Sequence, residues 1–237
     1  EFLHAEYREK GINGRTLNRE DVVIPGLRLH AGWQLSPHTN IGLSVSRHQG
    51  RVDYSGETQT GRSFTTRTQT RFQELGGWLD YQFLQQPVIL ALRPGLRFRQ
   101  WDRDIEATST TTSLETRYRW WEPGLGFRAE WAFEGGHRLG AQVSLFRTTN
   151  IRARVNLDAI GAGQVTTEPE DDYGQRLFLS WSVPATDSLG LSVYAYFETA
   201  VFQASDAVRV TAGSRRFSVR EPASAQWRRG LGVGLSF

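Results

Sequence analysis

The chain has 237 residues, carries a net charge of +3 and contains neither Cys nor Met. Without Cys there is no disulfide framework, thiolate chemistry or Cys-based zinc site, and no stretch approaches the roughly 20 consecutive apolar residues of a spanning helix. Every basic residue except Lys10 is Arg, and the Arg residues recur along alternating stretches instead of clustering on one surface, which argues against a nucleic-acid partner.

Alternation with period two predicts ten strands in one domain covering residues 1–237. The first sets Leu3, Ala5 and Tyr7 against His4, Glu6 and Arg8, and the second Leu27, Leu29, Ala31 and Trp33 against Arg28, His30 and Gln34. Ile41, Leu43 and Val45 mark the third; Leu75, Leu79, Tyr81 and Phe83 the fourth; Leu90, Leu92, Leu96 and Phe98 the fifth. Phe127 and Trp131, then Val143 and Leu145, Leu179 and Trp181, and Leu191 and Val193 carry the pattern through the ninth. In the tenth, Trp227, Leu231, Val233, Leu235 and Phe237 alternate with Gly, Ser and Arg. Such a strand shows one face to an apolar medium and the other to a polar or crowded one.

Tight connections at 36–39, 85–87, 134–136 and 185–187 alternate with long polar ones near 10–21, 50–68, 102–117, 148–172 and 203–223. That asymmetry, an even strand number and an aromatic C-terminus resemble bacterial outer-membrane β-barrel proteins. The expected fold is therefore an all-β, ten-stranded antiparallel up-and-down transmembrane β-barrel, with aromatic girdles that include Trp33, Phe83 and Phe133 at one rim and Tyr7, Trp121 and Tyr173 at the other. The low mean hydropathy of −0.47 fits, because only alternate residues meet lipid. The competing arrangement is a water-soluble sandwich or lipocalin-like barrel, whose aromatics would fill a core.

The lumen is expected to hold Arg8, Arg28, Arg93, Arg97, Arg99, Arg128, Arg138, Arg176 and Arg228, with Glu6, Asp80, Glu122, Glu130 and Glu198 as partners. An ion-pair network of that kind plugs a narrow barrel, whereas an open ring of Arg would make a small anion-preferring, porin-like channel. Size and topology, with the phrases Glu74-Leu75-Gly76-Gly77 and Trp101-Asp102-Arg103-Asp104, also resemble the omptin proteases. That resemblance implies an Asp pair, here Asp102 and Asp104, facing an Asp-His dyad at the extracellular rim. The dyad has no counterpart, since no His follows His137.

Ser46 and His48 share a strand face but stand roughly 6.5 Å apart, too far for a direct nucleophile–base bond. Glu168, Glu170, Asp171 and Asp172 form an acidic run that reads as a solvated loop. No catalytic residues, metal or cofactor are expected. The function read from the sequence is a non-enzymatic barrel of the Gram-negative outer membrane, signal peptide removed, with loops for a partner or ligand. Outer-membrane lipid, lipopolysaccharide and, through the strand ending at Phe237, the barrel-assembly machinery are its expected partners. An omptin-like or lipid-A-modifying hydrolase is the alternative.

Overall fold

A computed structural model describes residues 1–10, 15–57, 63–85, 87–109, 111–186 and 189–236. Its strands are β1 (Phe2–Lys10), β2 (Thr16–Ser36), β3 (Thr39–Glu57), β4 (Ser63–Leu84), β5 (Val88–Ile105), β6 (Leu114–Ala132), β7 (Arg138–Asn156), β8 (Gln164–Thr167), β9 (Asp172–Pro184), β10 (Gly190–Phe202), β11 (Val208–Ala212), β12 (Arg215–Val219) and β13 (Ala223–Ser236). Ten of them form a closed antiparallel barrel in which each strand pairs with its neighbour in the series β1 to β7, β9, β10, β13, and β13 returns to β1. Closure is what lets strands cross a membrane, because no backbone donor or acceptor remains at an edge facing hydrocarbon. β8 prolongs the sheet beside β7, and β11 and β12 form a separate hairpin.

The turns at one end are tight. Between β6 and β7, Gly135 and Gly136 adopt φ of 74° and 78°, a left-handed region that a side chain would strain. At the other end the strands run much further than expected: β4 has 22 residues, about twice the 9–11 that cross a bilayer. Most of the stretches expected to be long loops are therefore sheet. Residues 50–57 and 63–68 pair in an unbroken ladder between β3 and β4, and residues 102–105 and 114–117 do the same between β5 and β6. Their Thr, Gln and Arg content, read as loop chemistry, is the polar exterior of a sheet that has left the membrane.

The two halves of the barrel are built in opposite senses. In the half nearer the tight turns, Leu92 and Leu96 of β5 point outward with Leu43, Phe127, Leu179, Trp181 and Leu231, forming an exposed apolar band, while Arg93 and Arg97 point in. Further up the same strand the phase continues but the chemistry reverses: Gln100, Asp102 and Asp104 lie outside, and Trp101 and Ile105 are buried within. A wall leaving lipid for water has to exchange its faces in this way, since apolar groups prefer lipid outside below and a dry interior above.

This reversal corrects the reading of β1. Leu3, Ala5 and Tyr7 are buried inside the barrel, while Arg8 lies outside and donates from Nε to Glu6 at 2.7 Å. Neither Arg8 nor Glu6 belongs to the lumen, and Tyr7 is no girdle residue, because β1 lies above the apolar band, where the core is inside. Trp33, Phe83 and Phe133 do stand exposed near the tight turns, with Trp121 and Tyr173 at the upper edge of the band. A closed barrel with that exterior is an outer-membrane architecture.

Candidate functional site

Three layers fill the bore. Lowest, near the tight turns, Arg93 grips Asp80 with both Nε and Nη2 at 2.5 Å and donates from Nη1 to Gln142 at 2.7 Å. Arg128 lies beside the same Asp80 at 3.5 Å and bonds to Glu130, which Arg138 reaches from the rim at 3.2 Å. This layer stays partly open to solvent, with the Arg93 and Arg128 side chains 20% and 25% exposed.

The middle layer is dry and continuous. Arg99 meets Glu198 at 2.5 Å, Glu74 at 2.8 Å and Glu122 at 3.1 Å, and only 2% of its side chain is exposed. Arg97 bridges Glu198 at 2.9 Å and Glu122 at 3.0 Å, and Arg228 reaches Glu198 at 2.5 Å. Arg28 joins Glu74 at 2.9 Å to Glu1 at 2.7 Å, while His48 Nε2 lies 3.3 Å from Glu1. Ser46 is also buried on the inner face. Bidentate guanidinium–carboxylate pairs of this type satisfy several lone pairs at once, which is what makes buried charge tolerable. Small residues make the room: a Cβ at Gly230 would run into the Tyr196 ring, and one at Gly42 into the Trp78 ring.

Arg176 differs. Among the described residues it makes no ion pair with a carboxylate and its Nε has no partner, and its guanidinium lies over the rings of Tyr196 at 4.5 Å and Phe178 at 5.7 Å. Eight guanidiniums of the middle and lower layers (Arg28, Arg93, Arg97, Arg99, Arg128, Arg138, Arg176 and Arg228) thus face six carboxylates (Glu1, Glu74, Asp80, Glu122, Glu130 and Glu198) among the described residues.

Above them sits an aromatic layer. Trp101 stacks on Phe72 and Tyr118, each at 5.1 Å, and meets Tyr7 edge-on at 4.8 Å. Trp120 packs edge-on against Phe202 at 5.3 Å and ties this layer to the charges below by donating to Glu122 at 2.7 Å. Arg103 sits among these rings and binds Glu20 at 2.6 Å. Residues 203–222 join β10 to β13 as a strap, and near its end Glu221 turns its side chain into the barrel, where Tyr118 donates to its carboxylate at 2.5 Å. Burial, and next the neighbouring Glu9, push the Glu221 carboxyl up to about 7.

Sequence reasoning missed Glu1, Glu74, the aromatic layer and Glu221. Glu74 could have been found, for it alternates in phase with Trp78 and Asp80. Glu221 could not, because it follows β12 outside any alternating stretch. Asp102 and Asp104 lie on the outer wall: Asp102 accepts from Arg117 Nε at 2.6 Å, and both border a polar groove of about 470 Å³ with Arg51, Arg71 and Arg154. Of the acidic run, Asp171 pairs with Arg147 at 3.3 Å and Glu168 with Arg152 at 3.7 Å. Among the described residues no cluster of His, Asp and Glu could hold a metal ion. In β13, Leu231, Val233 and Leu235 face outward and exposed, and Trp227 lies under Arg8 at 5.3 Å. Phe237 lies outside the described residues.

No protein-family model and no curated protein matches the sequence. Solved structures share the fold. The outer-membrane protease OmpT of Escherichia coli superposes with a TM-score of 0.70 at 12% identity, covering 100% of this chain and 92% of that one. The translocator domain of the autotransporter NalP from Neisseria meningitidis matches at 12% identity over 100% of this chain and 86% of its own, with a TM-score of 0.45. What the chain shares with OmpT at that identity is the ten-stranded barrel.

Proposed function

We propose that this protein is a non-enzymatic outer-membrane barrel with a plugged lumen, which acts through its extracellular end and outer wall. One observation carries the reading: Arg99, Glu122 and Glu198 at mid-height are at most 2% exposed and lie directly beneath Trp120, itself 1% exposed. A bore so occupied leaves no continuous water path, and the charges within it hold the wall together instead of lining a route for ions.

The wall above the apolar band supplies a surface for partners. Arg47, Arg51, Arg71, Arg117, Arg154 and Arg229 project there, exposed. Guanidinium forks suit phosphate geometry, so the phosphates of lipopolysaccharide are the proposed ligands of this collar. The Asp pair that the omptin resemblance would use lies on the outer wall, with Asp102 engaged by Arg117. The barrel-assembly machinery is the proposed partner of β13 during insertion.

Planar bilayers test the plug. Purified protein is expected to give little or no conductance; small anion-preferring channels would mean that the Arg residues line an open path, and a large cation-selective conductance would refute both arrangements.

A further inference from the structure

The strap that carries the β11–β12 hairpin is held to the barrel by unusual means. At its two ends Ser205 and Glu221 clamp each other: Ser205 N–H donates to the Glu221 carbonyl at 3.0 Å, and Glu221 N–H donates to Ser205 Oγ at 2.9 Å. Arg220 Nε adds a bond to the Ser205 carbonyl at 2.8 Å, and a β-bridge joins Ser205 to Pro169. The clamp therefore brings both feet of the hairpin to one point above the mouth. From that point the Glu221 side chain descends into the barrel.

The groups it meets come from three of the strands around the mouth. β1 contributes Tyr7 and Glu9, β5 Arg103 and β6 Tyr118. Tyr7 donates to Glu9 at 2.8 Å, and Glu9 also accepts from Asn18. Arg103 is committed to Glu20 at 2.6 Å and reaches Glu9 only at 3.6 Å, with Tyr54 of β3 against its guanidinium at 5.8 Å. Three buried carboxyls, Glu9, Glu20 and Glu221, thus share one guanidinium, and all are no more than 8% exposed. Like charges so placed cannot all ionise without cost, and Glu221, which forms no ion pair with Arg103 among the described residues, is the one joined to the strap.

We propose that Glu221 is a protonation-dependent latch: the strap and its hairpin close the barrel mouth while Glu221 is neutral, and lift away when it ionises. In the lifted state the aromatic floor of Tyr7, Trp101 and Tyr118 faces the outside. This goes beyond the plug, which lies beneath and stays shut whether or not the strap moves.

The direction in pH follows from where the proton is held. A carboxyl raised to about 7 in the closed state returns to its ordinary value near 4.5 when released into water. The closed state is thus at full strength below pH 4.5, weakens as pH rises, and has lost all of this contribution above pH 7. The closed-to-open ratio should fall by roughly two orders of magnitude across that interval.

The absence of Cys permits labelling without background. Spin labels on Thr65→Cys at the barrel rim and Thr211→Cys in the hairpin, read by pulsed electron resonance in nanodiscs between pH 4 and 8, should give one short distance in acid. A second, longer population should grow toward neutrality. In the Glu221→Gln variant, which keeps the carboxyl's shape without its charge, the short distance should persist at every pH. A distance distribution independent of pH in the unsubstituted latch, or the same transition surviving in Glu221→Gln, would overturn the proposal. Far-ultraviolet dichroism of each variant verifies that the barrel is folded.

Discussion

Glu198 takes three cations, Arg97, Arg99 and Arg228, on its two oxygens. Removing it would take from Arg228 the carboxylate it pairs with and leave Arg97 and Arg99 to Glu122 and Glu74, an excess of positive charge in a medium that cannot solvate it. Glu198→Ala is accordingly expected to destabilise the barrel by about 3–5 kcal/mol, measured by urea unfolding from lipid vesicles. Arg176 is the control at the same depth. It has no carboxylate to lose, so Arg176→Met, which keeps bulk over Tyr196, is expected to change stability by less than about 1 kcal/mol or to raise it. Equal losses in the two variants would mean that the network does not distinguish paired from unpaired charge. The period-two pattern is enough to put Arg28, Arg93, Arg97, Arg99, Arg128, Arg176 and Arg228 on the inner face, but pairing depends on reach across the bore. Arg97 and Glu198, 101 residues apart, meet because of barrel curvature, which alternation along one strand does not contain.

At the scale of the strand, the wall's two halves set different rules for the same substitution. Leu179 stands on β9 in the apolar band, 46% exposed to what surrounds the barrel, paired with Ala141 and Ala195. Leu179→Arg is expected to cost about 2–4 kcal/mol if it lies at the midplane, since its charge would face hydrocarbon. A change outward on the upper β5, such as Gln100→Arg, should cost less than about 0.5 kcal/mol, for that face already meets water. Vesicle unfolding of the pair checks both, and similar costs at the two sites would contradict an apolar band ending near Phe98. This boundary explains why the fold was legible and the upper half was not. Strand phase survives the crossing, so ten strands can be counted from sequence; which face is apolar reverses, so alternation alone points Leu3, Ala5 and Tyr7 toward lipid and makes the polar extensions of β3 to β6 look like loops.

For the molecule as a whole, the ring depends on the last strand meeting the first. β13 pairs with β1 from Phe2↔Leu231 to Lys10↔Ala223 and with β10 from Gly190↔Ser236 upward, while delivering Arg228 to Glu198. A chain lacking residues 223–237 keeps nine barrel strands yet leaves two edges and one unpaired side of the network. It is expected to lose the compact, heat-modifiable form seen on gels of unboiled barrel protein; retention of that form would show that closure does not hold the barrel together.

The span of the bore's ion pairs also dictates an order of events during biogenesis. Arg99 lies on β5 between Glu74 of β4 and Glu122 of β6, but its third carboxylate, Glu198, stands on β10 and meets it only when the ten-stranded sheet curls round. Until then each of these charges must stay hydrated, and an inserting sheet must carry its water into the bilayer on its concave side. Dehydration of the interior is then the last step of making the protein, accomplished at once when the seam shuts, and a nascent barrel stalled before that moment would be a wet, charged trough open to the side.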